Sequence, residues 1–168
     1  GVNQLNYMPS TIGTHKISAT VTASDNAKIN RVVELKVDNI PFTLSATATS
    51  TSINVNQEVD ITIDLSEQLH SNTTYEISHS FDPKGISGTI KNASGTIMSA
   101  GVYVPINIGV YKYKFKPAGQ GVSTITFKAK DSNGQIKETT IIITVENVKF
   151  TFTGVPSEKT VLLNQNTQ

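Results

Sequence analysis

The chain has no cysteine and no tryptophan among its 168 residues. Without cysteine there is no disulfide framework and no thiolate metal site, so any core must hold by packing alone. Without tryptophan, and with most Tyr and Phe at inward strand positions, the exposed aromatic platform of a sugar-binding module is unsupported; Tyr103 and Tyr111 are the exceptions that the pattern does not place. Charged residues make up only 16% of the chain and the formal net charge is +1, so no global field draws in nucleic acid or an anionic membrane. No apolar stretch approaches the roughly 20 residues of a transmembrane span. The run Ile141-Ile142-Ile143 reads as a strand. Solubility therefore rests on Ser, Thr, Asn and Gln, a habit of exported β-proteins, and we expect a cell-envelope setting, surface or periplasmic. No signal peptide is visible, and because the chain opens mid-module its start reads as an internal boundary.

What is present is repetition. Val37-Asp38-Asn39-Ile40-Pro41-Phe42-Thr43-Leu44 recurs as Val145-Glu146-Asn147-Val148-Lys149-Phe150-Thr151-Phe152, an offset of 108 residues. The same offset carries Tyr7 to Phe115, Pro9 to Pro117, Gly13 to Gly121, Ile17 to Ile125, Leu35 to Ile143 and Asn56-Gln57 to Asn164-Gln165. A fixed, gapless period means tandem copies of one module. Residues 40–147 then form the complete copy, residues 1–39 the closing strands of a preceding repeat, and residues 148–168 the opening strands of a following one. The junctions at Asn39-Ile40 and Asn147-Val148 leave almost no linker, which predicts stiff coupling between modules.

Within the complete copy, period-two alternation dominates and helical spacing is scarce. Val59, Ile61, Ile63 and Leu65 alternate with Asp60, Thr62 and Asp64. Tyr75, Ile77, His79 and Phe81 follow, stopped by the turn-type Asp82-Pro83-Lys84-Gly85. Short strands flank Asn92-Ala93-Ser94-Gly95, and Tyr113 and Phe115 alternate with lysines. Ile125 and Phe127 lead to Asp131-Ser132-Asn133-Gly134, after which Thr139, Ile141, Ile143 and Val145 close the copy. Asn133-Gly134 supplies the positive φ angles of a tight hairpin, and Asp25-Asn26 is its counterpart one period earlier. Many short strands with regular turn signals predict an all-β fold, an antiparallel immunoglobulin-like β-sandwich. Its core should include Ile61, Ile63, Tyr75, Ile77, Phe81, Tyr113, Phe115, Ile125, Phe127, Ile141 and Ile143. The flanking pieces cannot close a core of their own. They should fray, pair with flanks of another chain, or lie along the complete module.

No enzyme is expected. His15, His70 and His79 lack metal-binding spacing, and His79 sits at an apolar-facing position that suits a satisfied core histidine. An enzymatic reading would need a pocket joining His79 or His70 to a carboxylate. Gly119-Gln120-Gly121 is a turn, not a phosphate loop, because no helix follows it. Glu58, Asp60 and Asp64 share a strand face without a calcium-loop pattern, so no metal and no cofactor is expected. Asn72-Thr73-Thr74 and Asn92-Ala93-Ser94 match the glycosylation triplet, which has meaning only in a eukaryotic secretory setting.

The candidate interaction surface is a set of lysines. Lys112, Lys114 and Lys116 must line the solvent face of one strand, and Lys128 and Lys130 that of the next. If the two strands pair, they make one basic stripe; if immunoglobulin topology sends them to different sheets, they make two smaller ones. Edge protection and solubility are the plain reading. An anionic glycan is the sharper alternative. The expected role is a structural spacer and protein-interaction module whose partners are proteins or neighbouring repeats, with self-association through the flanks and no nucleic acid.

One resemblance rests on core and turn positions. The stretches are Phe42-Thr43-Leu44, Val59-x-Ile61-x-Ile63-x-Leu65, Tyr75-x-Ile77-x-x-x-Phe81-x-Pro83-x-Gly85-x-x-Gly88, Tyr111-x-Tyr113-x-Phe115 and Asp131-Ser132-Asn133-Gly134-Gln135. With these, Phe42 to Val145 resembles the small immunoglobulin-like lipoproteins of Bacteroidetes conjugative transposons, the TraQ-like family. The resemblance implies an envelope-associated sandwich with a structural or adaptor role, and it brings no catalytic or ligand residues. This chain departs from the family by being tandem, so a repeat-bearing surface protein that shares the module is the alternative to a conjugation role.

Overall fold

Alternating side chains leave one face of each strand apolar, and the chain answers that pattern with strands alone. The computed structural model describes residues 4–68 and 73–154. Among them there are twelve strands and no helix. These are β1 (Gly13–Thr22), β2 (Lys28–Val37), β3 (Phe42–Ala48), β4 (Ser52–Asn54), β5 (Val59–Glu67) and β6 (Tyr75–Phe81), then β7 (Gly88–Asn92), β8 (Ile97–Met98), β9 (Val104–Ile106), β10 (Gly109–Pro117), β11 (Gly121–Asp131) and β12 (Ile136–Glu146).

Strands β3 to β12 form two five-stranded sheets, ordered β3-β5-β10-β7-β8 and β4-β12-β11-β6-β9. All the described pairings are antiparallel except β4 on β12, which is parallel and sets Val145 against Ile53. The opening strand is thus divided: β3 lies in one sheet, and after the Thr49-Ser50-Thr51 tract β4 joins the other. The result is an antiparallel sandwich of immunoglobulin-like kind.

The inner faces carry the expected side chains. Ile61, Ile63, Ile77, Phe115, Ile125, Phe127 and Ile143 are fully shielded, and Tyr75, Tyr113 and Ile141 nearly so. Phe42 meets Tyr75 edge-on across the sandwich at 5.1 Å, and Tyr113 tilts over Phe127 at 6.3 Å. Phe81 is only half-buried, against expectation, because it closes β6 where Asp82-Pro83 turns the chain out. Its ring still packs against Phe115 and His79. Gly88 is where β7 approaches β10. A Cβ there would lie 2.3 Å from the Phe115 ring and 2.4 Å from the Lys116 carbonyl oxygen.

Two hairpins match one period apart. In the later one, Gly134 N–H donates to the Asp131 carbonyl and Asp131 N–H to that of Gln135, with Gly134 at φ 85°. In the earlier one, Asn26 N–H donates to the Ala23 carbonyl and Ala23 N–H to that of Ala27, with Asn26 at φ 66°. Only one residue per turn is left-handed, a correction to the two positive φ angles expected of Asn133-Gly134. The turn is a type I turn closed by a bulge residue. The strand register repeats as well: β1 and β2 pair Gly13 with Val37 and Ile17 with Val33, and β11 and β12 pair Gly121 with Val145 and Ile125 with Ile141.

Strands β1 and β2 pair only with each other. Their faces are largely exposed, including Val21, Ile29, Val33 and Leu35. Residues 148–154 form no strand, and Phe150 and Phe152 are 88% and 90% exposed, so they do not occupy the kind of site that Phe42 holds.

Candidate functional site

Alternation along β10 turns Lys112, Lys114 and Lys116 outward between the inward Tyr113, Phe115 and Pro117. Along β11 it turns Lys128 and Lys130 outward between Phe127, Ala129 and Asp131. None of the five is buried, though Lys128 and Lys130 are half-covered. Since β10 and β11 belong to different sheets, the lysines form two stripes on opposite outer faces and never one continuous patch.

Register gives most of them a partner. Lys114 stands opposite Asp60 and its Nζ lies 2.8 Å from Oδ1. Lys112 donates to Thr62 Oγ1 at 2.6 Å. Lys128 meets Glu138 Oε1 at 2.6 Å, and Lys130 meets Glu76 Oε2 at 2.8 Å. Lys130 also sits over the Tyr103 ring, 4.8 Å from its centroid, which gives that tyrosine a place the sequence did not. Hydrogen bonding to the facing carboxylate, followed by its charge, raises the pKa of Lys114, Lys128 and Lys130. The stripes are therefore largely self-neutralised ladders. Lys116 alone among the five has no polar partner in the described residues.

The candidate catalytic groups are placed otherwise. His79 is 1% exposed between Phe81 and Phe127, and burial lowers its pKa. It is a core histidine but not a satisfied one, because its Nδ1 finds no hydrogen-bond partner among the described residues. His70 and Asn72 lie outside the described residues. Asn92 Oδ1 accepts from Ser94 N, Ser94 Oγ and Thr96 N, which folds the turn between β7 and β8. Among the described residues no group of three or more His, Asp or Glu is placed to hold a metal ion, and no helix is long and apolar enough to cross a membrane.

Two features escaped the sequence reading. An open groove of about 880 Å³ runs beside the short edge strands β8 and β9, with Ile97, Val102, Val104, Val110 and Tyr111 in its walls. Tyr111 read only as part of the β10 alternation, and the short strands β8 and β9 carry too few residues to show a period, so no sequence signal marked the groove. The second is a polar clasp between β2 and β3. Asp131 is 2% exposed, and its Oδ1 accepts the backbone N–H groups of Asn133 and Gln135 at 2.9 and 2.7 Å. Its Oδ2 accepts Asn39 Nδ2 at 2.7 Å, while Asn39 Oδ1 accepts Asn133 Nδ2 at 2.9 Å. Asn39, which follows β2, is thus tied to the hairpin between β11 and β12. Asn147, one period on, donates instead to Gln120 Oε1 at 2.7 Å.

Fold and surface together define an all-β sandwich whose described groups are spent on packing, turns and cross-strand pairs. Among the proteins of known structure that share this fold are three from Bacteroides. A conjugative transposon lipoprotein from Bacteroides eggerthii superimposes with a TM-score of 0.51 at 14% identity, over 60% of this chain and 95% of that one. A lipoprotein from Bacteroides thetaiotaomicron gives 0.53 at 19% identity, over 64% and 82%. A conjugate transposon protein from Bacteroides vulgatus gives 0.54 at 16% identity, over 64% and 86%. No family model and no curated protein matches the sequence.

Proposed function

We propose that the chain is a non-enzymatic stretch of a repetitive, exported bacterial envelope protein, with residues 40–147 as one complete module and 1–39 and 148–168 as parts of its neighbours. It acts as a structural spacer and a protein-interaction module. The observation that carries this reading is the second hairpin: β1–β2 repeats the register and turn of β11–β12 at the sequence offset of 108, and Asn39 bonds it to the module that follows. The likeness in fold to conjugative transposon lipoproteins supports the envelope setting. The burial of His79 supports the absence of catalysis. Antibody labelling and protease shaving of intact source cells test the reading. Surface or periplasmic exposure is the expected result, and a protected cytosolic pool would overturn it.

An anionic-glycan module is the second reading, favoured by the lysines on β10. Against it stands the pairing of Lys114, Lys128 and Lys130 with carboxylates, which leaves little free positive charge. Binding to a panel of acidic polysaccharides at low and high salt separates the two. Salt-sensitive binding lost on Lys112→Gln and Lys116→Gln would move the assignment to the glycan.

A further inference from the structure

Strand β10 outruns its neighbour. β7 pairs with it only from Gly88 at Pro117 to Asn92 at Tyr113, and then folds away into the turn closed by Asn92 N–H on the Thr96 carbonyl. Backbone alternation decides what is left behind. Ala118 N–H donates to the Ser87 carbonyl on the β7 side, so Lys116, Lys114, Lys112 and Val110 also aim their N–H and C=O groups to that side. The β5 side agrees: Thr49 N–H donates to Asp60, which leaves Ile61 and Ile63 to bond Tyr113 and Tyr111. Lys116 and Lys114 meet Thr89 and Lys91 of β7. Val110 and Lys112 meet no strand there, and their outward N–H and C=O groups have no partner among the described residues.

The groove of about 880 Å³ opens at this bare edge, with Ile97, Met98 and Val104 among its apolar walls. Tyr113 lines it too, 6% exposed, with a hydroxyl that makes no hydrogen bond among the described residues. Edge strands usually guard themselves with lysine or proline. Nearby β9 carries Pro105, which has no N–H to offer. On β10 the Lys112 ammonium is drawn across the sheet to Thr62, a neutral partner, and leaves the edge clear.

We propose that the Val110–Lys112 edge takes up an extended segment of a partner protein as an added strand. This deepens the protein-interaction role and rests on it. Two donor–acceptor pairs spaced two residues apart are what another strand's backbone matches, and what a small apolar molecule does not. Side-chain alternation then sets the chemistry of the segment. Lys112 is the only charged residue lining the groove among the described residues, so the segment's residue opposite it is acidic. The residue opposite Val110, which is 62% exposed, is apolar, and the one between them turns inward onto Tyr111 and is apolar as well.

Peptide binding to the 168-residue chain, followed by amide hydrogen exchange, tests this. The probes are labelled peptides in which glutamate, then valine, leucine or phenylalanine, then valine stand between threonines. The expected result is binding by at least one of them, with exchange at the Val110 and Lys112 amides slowed about tenfold or more. The Tyr111 and Tyr113 amides, already bonded to β5, change little. Lysine in place of the glutamate weakens binding about tenfold, and Lys112→Glu reverses that preference. Val110→Pro removes an N–H that the module itself leaves unused, and abolishes binding. Circular dichroism checks each variant; should Val110→Pro fail to fold, the exchange pattern and Lys112→Glu still decide the matter. The proposal is overturned if no peptide binds, if protection falls on another edge such as β3, if binding slows neither amide, or if Lys112→Glu keeps the preference for glutamate. None of these results touches the envelope assignment, which cell labelling tests separately.

Discussion

Asn39 Nδ2 and Asp131 Oδ2 lie 2.7 Å apart although 92 residues separate them in sequence. The bond joins the exit of β2 to the hairpin between β11 and β12, and the same carboxylate holds that hairpin through the N–H groups of Asn133 and Gln135. Asp131→Ala removes every one of these acceptors and leaves two backbone donors to fend for themselves. It should destabilise the module by about 2–4 kcal/mol in urea unfolding. Asn39→Ala leaves the hairpin bonds in place and should cost about 1 kcal/mol, while proteolysis between β2 and β3 speeds up.

Phe127 is fully shielded in β11, with Tyr113 and His79 against its ring. Phe127→Ala should cost about 3–5 kcal/mol, read as a lower denaturation midpoint at an unchanged slope.

Gly88→Ala forces a methyl group against the buried Phe115 ring and the Lys116 carbonyl oxygen. A loss of about 1–3 kcal/mol is expected from such overpacking. Gly134 offers a contrast, since its φ of 85° is the constraint and nothing crowds it. Gly134→Asn, the residue Asn26 uses at the equivalent turn, should be tolerated, whereas Gly134→Val should cost about 1–2 kcal/mol in thermal unfolding.

His79 makes stability depend on pH. Burial lowers its folded pKa below the ordinary 6.5, so over the window beneath that value the unfolded chain binds a proton the folded one refuses. Stability should therefore fall as pH drops from about 7 towards the folded pKa, and level off below it. His79→Leu removes this share of the slope. Because Nδ1 has no partner among the described residues, the leucine should cost little at neutral pH. Urea titrations of both proteins at several pH values check the difference in slope.

The long inner strands were legible because their chemistry is local: a polar residue between two apolar ones fixes the face, as at Val59 to Leu65 and Ile125 to Ala129. The hairpin at Asp131–Gln135 was legible too, although its single left-handed residue was not. The three-residue strand β9 was hidden, being too short to show a period. The lysine face was readable, but not its neutralisation. That depends on which strand lies alongside, and Asp60 is 54 residues from Lys114 in the chain. For the same reason Asn39 read only as a boundary, since its partners meet it through tertiary register.

The parallel pairing of β4 with β12 has a mechanical consequence. Residue 40 enters the module beside Asp131 and residue 147 leaves it beside Gln120, at the opposite pole. Tension between those two points drags β4 and β12 past each other along their length. The bonds from Val55 N–H to the Glu146 carbonyl and from Thr144 N–H to that of Thr51 lie across this slip plane. They are strained together and must break together, whereas an antiparallel pair pulled from one end parts one bond at a time. Pulling the sandwich apart between residues 40 and 147 therefore loads these bonds all at once.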